Sequence, residues 1–149
     1  MRIIDLLRLT ALGVVFAVAG GCGSGPAQPY PASGTVTSGG KPAKGAVVTL
    51  IPVDPNKLPL TSFPRGEVGA DGRYRLTTFS SGDGAPAGEY KLTLRWPVEL
   101  TGKQKALAEA QGEGGDTDRL KSKYADPKAS AWTVTIKPGD NTLDPVNIP

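Results

Sequence analysis

Cys22 is the only thiol in 149 residues, and histidine is absent. Those two facts remove most side-chain chemistry. No imidazole can act as general base or ligate a transition metal, and one thiol can form neither an internal disulfide nor a cysteine-based zinc site. Serines and threonines are plentiful, but nothing of the Ser-His kind stands ready to activate one. The inventory predicts a non-enzyme that needs no cofactor.

What remains are recognition groups. Arg73, Arg75, Lys91 and Arg95 share the outward phase of two alternating segments. If those segments were neighbours they would form a basic stripe for an anionic glycan or a lipid headgroup; the competing reading is ordinary solubilising charge. Trp96 and Trp132 could stack on sugar rings from an outward position, but both fall on the apolar phase and read as core. Glu109, Glu113, Asp116 and Asp118 offer oxygen ligands in a spacing that matches no calcium loop, so they read as solvated charge and no metal is expected. Asp71-Gly72 reads as a turn.

The elements that position these groups begin with the segment around the thiol. Residues 1–21 read as a secretory signal: Arg2 and Arg8 supply the basic region and L-T-A-L-G-V-V-F-A-V-A-G the apolar core. That core is shorter than the roughly 20 residues of a membrane span. The segment closes on V-A-G-G-C, which resembles the lipobox of bacterial lipoproteins, with Gly20 and Gly21 as the small residues and Ala19 where leucine is usual. The resemblance implies that Cys22 becomes the first mature residue and carries acyl chains. At about 0.8 kcal/mol per buried CH₂, one chain binds marginally and two or three hold firmly. Cleavage after Ala19 to leave a free thiol, or retention as a membrane helix, are the other two readings. Gly23 after the cysteine is similar to lipoproteins that leave the inner membrane. The expected location is exported, held by lipid to the periplasmic face of a membrane or to the cell surface.

Residues 22–32, G-S-G-P-A-Q-P-Y-P among them, read as a tether of at most about 30 Å, at roughly 3.3 Å per residue. The rest, 33–149, has one domain's length, and the whole chain carries 20 Gly, 14 Pro and a net charge of +3. The charge is scattered without blocks, which argues against a nucleic-acid partner. The dominant period is two. Tyr90, Leu92, Leu94 and Trp96 alternate with Glu89, Lys91, Thr93 and Arg95; Tyr74 and Leu76 alternate with Arg73 and Arg75; Trp132, Val134 and Ile136 repeat the pattern. G-A-V-V-T-L-I-P-V is nearly continuous in apolar residues and predicts a strand covered on both sides. S-G-G-K-P-A-K-G should close a hairpin between Val36 and Ala46, and Asp71-Gly72 a second between Val68 and Arg73. Pro145 in the last run predicts a bulge or edge with a shift of inward phase. About seven short strands in a β-sandwich follow.

S-G-T-V-T-S-G-G-K-P-A-K-G-A-V-V-T-L, G-A-D-G-R-Y-R-L-T-T, P-A-G-E-Y-K-L-T-L and T-V-T-I-K-P-G-D-N-T-L-D together resemble carboxypeptidase regulatory-like domains. The resemblance covers most of residues 30–149 and rests on Gly34, Val36, Gly40, Pro42, Gly45, Ala46, Val48, Asp71, Gly72, Tyr74, Leu76, Gly88, Tyr90 and Leu92. K-Y-A-D-P-K-A-S is similar to a segment of small planctomycete-type lipoproteins. It implies an immunoglobulin-like or transthyretin-like sandwich without peptidase activity; some transthyretin-like proteins hydrolyse a purine-breakdown intermediate with histidines, which this chain lacks. The matched residues are turn glycines and core positions, so they speak to fold and hardly to function.

Between Trp96 and Trp132 the alternation stops. K-Q-K-A-L-A-E-A-Q predicts a helix capped by Thr101, and D-R-L-K-S-K-Y another helical turn with Leu120 and Tyr124 inward. This 97–131 insertion, partly helical and placed before the penultimate strand, reads as a solvated connection or a specificity lobe. The expected function is a lipid-anchored, non-catalytic envelope module that is structural or contacts a partner. The alternative is a glycan- or peptide-binding surface lipoprotein using the insertion or the basic residues.

Overall fold

The computed structural model describes residues 27–110 and 118–149; Cys22, Glu113 and Asp116 lie outside them. The chain runs β1 (Pro29–Tyr30), β2 (Ala32–Ser38), β3 (Lys41–Pro42), β4 (Val47–Pro52), β5 (Arg65–Glu67), β6 (Arg73–Arg75), β7 (Ala85–Pro86), β8 (Gly88–Arg95), α1 (Gly102–Ala110), β9 (Thr133–Ile136), β10 (Asn141–Thr142) and β11 (Val146–Ile148). The fold is an all-β sandwich. Setting aside the two-residue β1, β3 and β7, and taking β10 and β11 as one interrupted strand, leaves seven principal strands. Helix α1 lies in the insertion before the penultimate one.

One sheet is built around β2. Its antiparallel partners are β6, with Gly34 opposite Tyr74, and β3; its parallel partners are β10 and β11, which share the other edge. The facing sheet is antiparallel in the order β5-β4-β8-β9, with Leu50 opposite Leu92 and Tyr90 opposite Val134. Alternation puts Val36, Tyr74, Val146 and Ile148 of the first sheet against Val48, Leu50, Tyr90, Leu92, Leu94 and Ile136 of the second. Burying each large aliphatic side chain contributes about 1.5–3 kcal/mol, which is what holds short strands together. The Tyr90 hydroxyl donates to Pro86 O at 2.7 Å, so a polar atom in the core is satisfied within its own strand approach.

The Asp71-Gly72 hairpin forms. Gly69 N–H donates to Arg73 O at 2.8 Å, and Arg65 and Thr77 exchange backbone bonds of 2.9 and 2.8 Å. Between those points β5 belongs to one sheet and β6 to the other, so the hairpin stitches the two layers along one side. Pro145 behaves as its chemistry requires: it falls in the gap between β10 and β11, and the inward phase steps from Leu143 to Val146 and Ile148.

Several expectations are corrected. The Val36–Ala46 hairpin shrinks to β2–β3, closed by Gly39 and Gly40 at φ 54° and 80°, after which the chain crosses to the other sheet and β4 pairs with β5 and β8. β4 is fully buried on one face only; Val47, Thr49 and Ile51 are half-covered. The tether cannot run to residue 32, because β1 pairs with β7 and Ala32 is buried, so Pro29–Ala32 already belong to the folded unit. Segment 119–125 is a series of turns rather than a helix, with Lys121 and Ser122 at φ 50° and 57°. Leu120 and Tyr124 nonetheless pack against the core.

Candidate functional site

The register separates the four basic residues. Arg73 and Arg75 stand on β6, opposite Thr35 and Ser33 of β2. Lys91 and Arg95 stand on β8 of the other sheet. β6 and β8 are not neighbours, so the single stripe does not exist. Lys91 Nζ donates to Thr133 Oγ1 across β8–β9 at 2.8 Å, a cross-strand contact of the kind that stabilises sheets. Arg95 lies at the far end of β8, where its charge acts on Asp118.

Arg73 and Arg75 stay together and make a site. They project from the outer face of the β2 sheet, exposed, two residues apart and therefore roughly 6.6 Å apart along the strand. Beside them the outward hydroxyls of Ser33 and Thr35 follow from β2's alternation, and Thr142 and Asp144 follow on its parallel edge. These six side chains line a groove of about 590 Å³, with Asp71 at its rim. Neither guanidinium has an ion pair or hydrogen bond within the described residues. The groove thus offers two free forks for a carboxylate, phosphate or sulfate, with hydroxyls and one carboxylate that can pair with sugar hydroxyls. Its floor is Gly34, beneath which runs the Tyr74 ring: a Cβ on Gly34 would lie 2.5 Å from the Tyr74 hydroxyl. That hydroxyl is buried with no hydrogen-bond partner among the described residues, and desolvation pushes its pKa well above the usual tyrosine range.

A second cleft, of about 440 Å³, opens where the insertion leaves β8; Lys44, Glu67, Trp96, Glu99 and Arg119 line it. Trp96 is half-buried, donates from Nε1 to Lys44 O at 2.9 Å, and carries Arg119 over its ring at 5.1 Å. Trp132 packs on Tyr124, ring centres 5.1 Å apart. The reading of both tryptophans as packing residues holds for most of their surface, with one edge of Trp96 left in the cleft.

Asp118 corrects the reading of the acidic group as solvated charge. It is 8 % exposed, and its carboxylate accepts the N–H groups of Trp96 (2.8 Å), Leu120 (3.0 Å) and Ser122 (3.0 Å). Burial by itself would raise its pKa. The three N–H donors and the Arg95 charge outweigh that and hold it below the ordinary carboxylate value. Glu109 stands exposed on α1, and no metal-holding group of acidic, cysteine or histidine residues occurs among the described residues. Asp83 does the same work in loop 78–84, taking the N–H groups of Thr78, Phe79 and Ser80. Nothing in spacing distinguishes these two acids from solvated ones; only the convergence of distant N–H groups does. Ser38 and Lys41 have the S-x-x-K spacing of some acyl-enzymes, but they are backbone ladder partners flanking the Gly39–Gly40 turn, Ser38 half-buried and Lys41 exposed, with no side-chain hydrogen bond between them among the described residues.

Among the described residues no helix is long and apolar enough to cross a membrane. Compared with protein-family models, with curated proteins and with solved structures, the chain matches none.

Proposed function

We propose that the protein is a lipid-anchored, non-catalytic module of the bacterial cell envelope, a sandwich of the carboxypeptidase regulatory-like kind held at a membrane by acyl chains on Cys22. The observation that carries this reading is the chain from Val18 to Pro29. A lipobox-like V-A-G-G-C ends at Cys22, and only six residues separate that cysteine from Pro29, the first strand residue among the described ones. An oxidising compartment also gives a reason to consume a lone thiol. The intact mass of detergent-extracted protein tests it. A mature N-terminus at Cys22 with two or three acyl chains, lost in Cys22→Ser, is the expected result; a cleaved chain with a free thiol would overturn it.

A second reading is favoured by one observation, the unpaired Arg73–Arg75 forks over a groove lined with hydroxyls. It makes the module a binder of acidic envelope glycans. Array binding that weakens with salt and falls at least tenfold in Arg73→Ala/Arg75→Ala, with Lys91→Ala unchanged, is the expected result (two charge-assisted contacts at about 1.5–3 kcal/mol each would allow more). Binding indifferent to Arg73 and Arg75 would end this reading.

A further inference from the structure

The registers sort the described loops between strands to two ends of the sandwich. β2 begins at Ala32, whose carbonyl accepts from Leu76, and ends at Ser38 beside Lys41 and Ile148. The Arg65–Thr77 pair ties the facing sheet to the Ala32 end, and from it follow Thr49, Pro52 and Tyr90. The Ala32 end therefore gathers the arriving chain at β1, loop 53–64, loop 76–84 and loop 137–140. The Ser38 end gathers the Gly39–Gly40 and Asp71–Gly72 turns and the parts of the 97–131 insertion bonded to the end of β8, at Pro97 and at Asp118–Tyr124.

Exposed apolar side chains divide the same way. Val53, Phe63 and Phe79 are 47 %, 46 % and 49 % exposed and all belong to the Ala32 end; Val98 and Leu107 belong to the insertion. Phe79 is held out by a built loop. Asp83 accepts the N–H groups of Thr78, Phe79 and Ser80 at 2.7–2.9 Å, and Thr78 Oγ1 donates to Gly84 O at 2.6 Å. The same loop leans on the arriving chain: Gly84 sits so close to Tyr30 that a Cβ would fall 1.7 Å from its carbonyl oxygen, and Ala85 pairs with Tyr30. The Phe79 loop and the arriving chain are therefore in contact, at the same end of the sandwich as Val53 and Phe63. Arg65 and Lys137 are exposed at that end as well.

We propose that the Ala32 end is a membrane-docking face: Val53, Phe63 and Phe79 enter the interfacial layer of the bilayer that holds the Cys22 acyl chains, and Arg65 and Lys137 meet its headgroups. This rests on the lipidation of Cys22. Seven steps of chain from Cys22 to Pro29 span at most about 23 Å, so the end that carries these side chains cannot move far from the bilayer. Exposed aromatic and aliphatic side chains beside basic ones suit the interfacial layer, whereas water alone leaves them exposed at a cost.

The test uses the exported full chain, its intact mass recorded first. Acylated Ser81→Cys and Lys103→Cys variants, labelled with an environment-sensitive dye, are reconstituted in vesicles of phosphatidylcholine and phosphatidylglycerol. Lipid-borne nitroxide should quench the Ser81 position several-fold more than Lys103, and Phe63→Ser/Phe79→Ser in the Ser81→Cys background should abolish the difference. Equal quenching at both positions, or a Ser81 signal that instead tracks self-association or an added protein, overturns the proposal. If the mass shows no acyl chain, the anchoring reading has failed by itself. The same processed protein is then sedimented with the vesicles: binding lost in Phe63→Ser/Phe79→Ser upholds the lipid-docking face, and no binding overturns it.

Discussion

Tyr74 and Gly34 are cross-strand partners in which one side chain uses the room the other leaves, and they leave the tyrosine hydroxyl buried without a partner. An unsatisfied buried hydroxyl costs about 1–3 kcal/mol, so Tyr74→Phe should raise stability by about 1 kcal/mol in urea unfolding. Gly34→Ala should lower it by about 1–3 kcal/mol, because the added methyl meets the ring. Asp118 and Asp83 set the acid limit. Both folded-state pKa values lie below the unfolded one, so their stabilisation is complete above about pH 4 and is lost as pH falls through the folded values. Denaturant midpoints measured from pH 6 downward should drop for the native chain. They should drop less steeply for Asp83→Asn/Asp118→Asn, which starts lower because Asn presents one acceptor oxygen where two are used.

At the scale of elements, β8 was legible because a strand with one buried face must alternate, and Tyr90, Leu92 and Leu94 do. Helix α1 was legible from its helix formers and from Thr101, whose N–H and hydroxyl both donate to Gln104 Oε1 at 2.9 and 3.0 Å. The turns over 119–125 were not, because composition is blind to Asp118 drawing the N–H groups of residues 96, 120 and 122 onto one carboxylate, an arrangement that replaces helical bonds. The two parts of the insertion should therefore respond differently. Replacing Thr101–Ala110 by a short Gly/Ser linker should shift the melting temperature by no more than about 2 °C, since its described side chains are exposed. Trp132→Ala, which removes a ring packed on Tyr124, should cost about 2–4 kcal/mol.

For the whole molecule, the division into two ends gives the proposed membrane-anchored module a direction: the arriving β1 chain and the exposed phenylalanines at one end, the Trp96 cleft at the other. Trypsin acting on vesicle-bound protein should cut after Lys57 more slowly than in detergent, while cleavage after Lys103 keeps its rate; mass spectrometry of early fragments reads the ratio. By itself the sequence determined what local physics dictates. Alternation marked the buried faces, Gly39-Gly40 and Asp71-Gly72 marked the tight turns, Pro145 marked the break in the last strand, and the lack of histidine with a single cysteine narrowed the chemistry. Only the tertiary structure decided which strands became neighbours. It parted Arg73 and Arg75 from Lys91 and Arg95, brought β10 and β11 back parallel to β2, turned Asp118 from a solvated acid into a clasp, and set the Phe79 loop beside the arriving chain. The reason is that a residue's phase along its own strand is a near-neighbour property, whereas strand partners are chosen by packing between segments tens of residues apart.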